Sequence, residues 1–107
     1  MSTIDDVSGV LRSLAPHHLA EEWDNVGLLV GDRERPVKRI MTCLTVTPES
    51  VQEAIDQQVE LIVAHHPIPF RPLKRLTTEE TTGRLLLLLI DAGIAVYSPH
   101  TAFDSAR

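Results

Sequence analysis

The feature that constrains this chain most is a strand, helix, strand rhythm over residues 37–64. Residues 37–46 (VKRIMTCLTV) read as a strand, 48–58 as a helix with Val51, Ala54 and Ile55 on one face, and 60–64 (ELIVA) as a strand again. Thr47 is an N-cap residue by type. Pro48 stands at the first helical position, where its missing N–H is not needed, and Glu49 lies in the first turn, where the helix dipole favours a carboxylate. Such a unit sets two strands side by side in parallel, joined by a right-handed crossover. The rhythm continues past an irregular stretch at 67–76 that carries Pro67, Pro69 and Pro72. A helix is expected from Thr77 or Thr78 to Ala92, closed by Gly93, followed by a strand at 94–98. Upstream, Ile4, Val7, Val10, Leu11 and Leu14 recur at helical spacing before Pro16, and 26–30 is a short strand closed by Gly31 and Asp32. The expected fold class is therefore α/β, a mostly parallel sheet with flanking helices, in a single domain over residues 1–107.

Charge and composition remove several functions from consideration. A formal net charge of −5, with basic residues scattered rather than clustered, leaves no electrostatic footprint for nucleic acid or an anionic membrane. The run at 85–90 is far shorter than the roughly 20 apolar residues a bilayer requires and reads as a core helix. The N-terminal residues MSTIDDVSGVLRS lack the basic and apolar regions of a signal peptide. Cys43, the single cysteine, has no partner for an internal disulfide, and a reducing cytoplasm is the expected compartment.

In open α/β sheets, ligands collect beyond the carboxyl ends of the strands. Here those ends hold Thr45, then His65 and His66, then His100 to Asp104, so residues distant in sequence should meet at one edge. Adjacent side chains on an extended backbone project to opposite sides, which makes two neighbouring imidazoles awkward ligands for one metal. Each suits a different metal, with a carboxylate such as Asp104 between them. Two ions roughly 3.5 to 4 Å apart sharing a carboxylate form an arrangement that activates water for hydrolysis. Taken singly, the same residues have plainer roles. The histidine pair also reads as hydrogen-bonded loop residues, Asp104 as a surface or capping residue, and His100, after Pro99, as a turn residue. His17 and His18 sit beside a helix, Trp23 is a packing anchor, and Asp24 and Asn25 are turn formers. No phosphate-cradling glycine loop is present, and no serine or cysteine has an evident base and orienting partner.

Four stretches resemble a known family, the GTP cyclohydrolase I type 2 homologues, also called the Ngg1-interacting factor 3-like family. They are LAEEWDNVGLLVGD (19–32), LTVTPESVQEAI (44–55), LIVAHHPIPFRPLKRL (61–76) and IAVYSPHTAFD (94–104), in the family's order and spacing. The resemblance implies a site for two divalent metal ions with His65, His66 and Asp104 as ligands and Asp104 as the bridge. The metals implied are zinc, iron, manganese or nickel, since imidazole and carboxylate suit all four. It also implies a metal-dependent hydrolase acting on a small molecule, a purine nucleotide or related ring, and a homo-oligomer for the full-length protein. A non-catalytic metal-binding or protein-interaction module is the alternative. The family completes its site with a His-x-x-x-Glu pair that this sequence lacks. The chain is accordingly expected to be the N-terminal part of a longer two-lobed protein, inactive alone. Two positions depart from the family pattern: Thr45 stands where an acidic residue is usual, and Ala102 where His-Thr-Asn-x-Asp would have its amide. His100 is the candidate for orienting a ligand or moving a proton.

Overall fold

The structure is a computed structural model and describes residues 2–14, 27–68 and 73–99. Helix α1 (Ile4–Leu14) is opened by a reciprocal cap in which the Thr3 N–H donates to the Asp6 carboxylate at 2.9 Å and the Asp6 N–H donates to the Thr3 hydroxyl at 3.2 Å. Strand β1 (Gly27–Val30) follows, then β2 (Ile40–Cys43), α2 (Pro48–Asp56), β3 (Leu61–Ala64), α3 (Thr81–Ala92) and β4 (Ala95–Ser98). Thr47 caps α2 as its residue type requires, its hydroxyl accepting from the Ser50 N–H at 3.1 Å while the Ser50 hydroxyl accepts from the Thr47 N–H at 2.7 Å. Serine thus performs the return contact that glutamate or glutamine makes in the common form of this box.

The four strands form one sheet in the order β1-β4-β3-β2. β2 and β3 pair in parallel with Ile40 opposite Leu61 and Cys43 opposite Ala64, and β3 and β4 pair in parallel with Leu61 opposite Ala95. β1 lies antiparallel on β4, with a register shift between Leu28 and Val30. The sheet is therefore mostly parallel, as the alternating pattern requires. Side-chain alternation along the strands then assigns the two faces. Leu61, Ala95 and Tyr97 join Ile4 and Val37 beneath α1, whereas Ile62, Ala64 and Val96 join Val51, Ala54, Leu85, Leu86 and Leu89 beneath α2 and α3.

Three sequence expectations are corrected. The strand read over 37–46 pairs as strand only at Ile40–Cys43, because Val37 donates instead to the Ser2 carbonyl at 2.8 Å, and Lys38 and Arg39 donate to a Glu60 carboxylate oxygen at 2.6 and 2.9 Å. α3 begins at Thr81 rather than Thr77 or Thr78. The preceding turn lies so close over the helix that a side-chain carbon on Gly83 would collide with the Thr77 carbonyl oxygen. The run at 85–90 is not wholly core either: Leu88 and Ile90 are 48% and 54% exposed, because α3 buries only the stripe holding Gly83, Leu85, Leu86 and Leu89. Gly93 closes α3 in the left-handed conformation, φ 72°, as expected. Among the described residues no helix is long and apolar enough to cross a membrane.

Candidate metal centre

The β2–β3 ladder does not stop with the strands. Beyond Ala64 the His65 N–H donates to the Cys43 carbonyl at 3.1 Å and the His66 N–H donates to the Leu44 carbonyl at 2.8 Å. From the other side, the hydroxyl of Ser98, a fully buried residue at the end of β4, donates to the His65 carbonyl at 3.1 Å. Pro67 and Ile68 are buried directly after the pair. The backbone that carries the two imidazoles is thus held by both neighbouring strands and anchored into the core at its exit.

The side chains themselves correct one expectation. Residues 65 and 66 lie on a bend past the end of β3, not on extended strand. The two rings do not diverge to opposite sides but stand edge to face, with centroids 5.1 Å apart and planes at 61°. His66 has a defined polar partner: its Nδ1 lies 2.8 Å from the Thr45 hydroxyl oxygen. Thr45 also lies beside the cap of α2, where the Ser50 hydroxyl is 3.4 Å from the Thr45 carbonyl and 3.1 Å from the Thr47 carbonyl. Both histidines are half-buried, accessible from the sheet edge yet backed by the core.

Cys43 ends β2 at the same edge. Burial pushes its thiol pKa up, the Glu53 carboxylate pushes the same way, and a hydrogen bond with Ser50 opposes them. A raised thiol pKa disfavours the thiolate, which is the nucleophilic form.

Of the residues singled out from sequence, His65 and His66 are brought together with Thr45. Asp104 and His100 lie outside the described residues, as do His17, His18, Trp23, Asp24 and Asn25. Among the described residues no cluster of three or more His, Cys, Asp or Glu side chains is present. The described part of the site therefore supplies two imidazoles. That donor type fits a divalent transition metal, and the Thr45 hydroxyl engages His66 at Nδ1. The contacts made by Thr45 and Ser98 escape sequence reading. The available signal was positional, since both residues lie at the carboxyl ends of strands flanking β3.

Comparison with known proteins places this geometry among relatives. Residues 2–107 match the model of a family described as Duf34/NIF3 (NGG1p interacting factor 3). A GTP cyclohydrolase 1 type 2 homolog from Clostridium perfringens is 40% identical over 104 residues, spanning 97% of this chain and 40% of that protein. A GTP cyclohydrolase 1 type 2 from Helicobacter pylori is 41% identical over 107 residues, spanning all of this chain and 43% of that protein. Among solved structures, Staphylococcus aureus protein SA1388 superposes with a TM-score of 0.92 at 36% identity, over 96% of this chain and 33% of that one. The chain thus spans about two fifths of the length of these curated relatives.

Proposed function

The chain belongs to the Duf34/NIF3 (NGG1p interacting factor 3) family, and on that premise we propose that it contributes part of a two-metal site to a metal-dependent hydrolase. His65, His66 and Asp104 are the proposed ligands, with Asp104 bridging. When bound, two divalent ions supply charge stabilisation and lower the pKa of water at the site. The chain's own residues hold and orient. β2 and β4 fix the backbone of His65 and His66 through the Cys43 and Leu44 carbonyls and the Ser98 hydroxyl, so that the rings are positioned before any ion arrives.

The observation that carries this reading is the paired imidazole edge, two rings 5.1 Å apart at the carboxyl end of a parallel strand and clamped from both sides. The relatives' name, GTP cyclohydrolase 1 type 2, supports a purine nucleotide as the substrate class. A cytoplasmic homo-oligomer is the proposed state of the full-length protein.

The test is metal content of the full-length protein and of His65→Ala, His66→Ala and Asp104→Ala, followed by turnover of GTP. Each substitution is expected to lower bound metal and to abolish turnover. Metal content unchanged by all three refutes the site. Tightly held metal without turnover in the unsubstituted protein supports the non-catalytic alternative, a metal-binding or interaction module.

A further inference from the structure

Thr45 is exposed, lies two residues beyond β2, and belongs to no strand or helix. Its hydroxyl nevertheless meets one ring nitrogen of His66 at 2.8 Å, a contact between residues 21 positions apart. The inference drawn from it rests on the metal reading given above. We infer that Thr45 is a positioning residue that holds His66 by Nδ1 and so commits Nε2 to the metal.

A hydroxyl differs from a carboxylate in this position because it both donates and accepts. In neutral His66 with the proton on Nε2, the Thr45 hydroxyl donates to bare Nδ1. Ligation through Nε2 needs the lone pair there, so one proton leaves Nε2 and one is taken up at Nδ1, with no net change in protonation. The Nδ1–H then donates to the Thr45 oxygen, the hydroxyl having turned from donor to acceptor. The ring keeps its partner, and hence its orientation, in both tautomers. An aspartate at this position would accept only and would favour the Nδ1–H tautomer in advance.

The experiment compares the wild-type full-length protein with Thr45→Val, Thr45→Ser and His66→Ala, using zinc as the probe. Two readouts are taken: the His66 ring-nitrogen resonances in metal-free and zinc-loaded protein, and zinc affinity by competition with a chromophoric chelator. Valine keeps the β-branched shape at an exposed position, so the fold is retained. Thr45→Val is expected to shift the His66 Nδ1 resonance in the metal-free protein and to weaken zinc binding by about 10- to 100-fold, the usual loss on removing a partner of a ligand histidine. Thr45→Ser is expected to restore both. Zinc binding that needs His66 but is unchanged in Thr45→Val overturns the role of Thr45 and leaves the metal reading standing. Absence of zinc uptake by the wild-type protein, or uptake insensitive to His66→Ala, overturns the assignment of His66 and this inference with it.

Discussion

Two helical glycines should respond in opposite directions to the same substitution. Gly9 lies in the interior of α1, exposed, with open space around the position of an added side-chain carbon. Gly83 lies in the first turn of α3, buried, with the Thr77 carbonyl oxygen in the way and the Thr77 carbonyl carbon and amide nitrogen only 3.1 and 3.2 Å from the same point. Helix propensity alone favours alanine over glycine by about 1 kcal/mol at either site. At Gly9 nothing opposes that gain, so Gly9→Ala should stabilise by about 1 kcal/mol. At Gly83 the added methyl meets backbone, which cannot rotate aside as a side-chain tip does. The turn that would have to move is held by Arg84, whose N–H donates to the Glu80 carbonyl at 3.0 Å and whose guanidinium donates to the Thr78 carbonyl at 3.4 Å. Overpacking of this kind costs about 1–3 kcal/mol. With rigid backbone as the obstacle the upper part of that range applies, and the net loss after the propensity gain is about 2 kcal/mol. In a domain of this size each kcal/mol moves the melting temperature by roughly 4–8 °C. Thermal unfolding followed by circular dichroism should show Gly9→Ala melting above the wild type and Gly83→Ala well below it. A Gly83→Ala protein that melts at or above the wild-type temperature would refute the close approach of the Thr77 turn.

Ser8 is fully buried, and its hydroxyl has no hydrogen-bond partner among the described residues. Ser8→Ala should raise stability by about 1 kcal/mol, measured as an increased urea midpoint with unchanged slope; a fall in the midpoint would mean that the hydroxyl is satisfied. The Glu60 carboxyl is held below its ordinary value of 4.5, chiefly by the Lys38 backbone N–H, with the Arg39 N–H and the charges of both residues acting in the same direction and burial opposing them. A carboxyl whose folded-state pKa is depressed contributes stability above its unfolded pKa and loses it as pH falls through the folded value. Urea midpoints should therefore drop below about pH 4.5 in the wild type, and Glu60→Gln, which keeps an accepting oxygen but no charge, should show a shallower acid limb. Equal acid slopes in the two proteins would contradict this role for Glu60.

The architecture was largely legible because the determining signals are local and periodic. Thr47-Pro48 announces α2, Gly93 announces the end of α3, and the alternation of strands with helices dictates parallel pairing. What escaped was set by contacts across the fold. The turn at 77–80 carries threonines that suit a helix start, and only its approach to Gly83 shows that the helix begins later. Leu88 and Ile90 are as apolar as Leu86 and Leu89, yet they fall off the buried stripe of α3. At the site, the pairing of His65 and His66 was evident from the sequence, but their bend was not, because it follows from ladder bonds to Cys43 and Leu44 that lie more than twenty residues away. Thr45 was visible as a residue at the carboxyl end of a strand and as a lost charge. Its hydroxyl contact with His66 needed the β2–β3 register to be known.

That register carries a consequence for fidelity of folding. Thr45 meets His66 only when Cys43 stands opposite Ala64. A slip of a single residue in the β2–β3 pairing would turn every side chain of the slipped strand to the other face of the sheet. A chain paired one step out could still bury aliphatic residues on either side, since both faces of β3 are apolar, and would pass for native by secondary-structure content. It would not bring the threonine hydroxyl to the imidazole. The contact between the Thr45 hydroxyl and one histidine ring is in that sense a gauge of how the strands have paired, and it distinguishes a correctly threaded crossover from a near miss that bulk spectroscopy would not resolve.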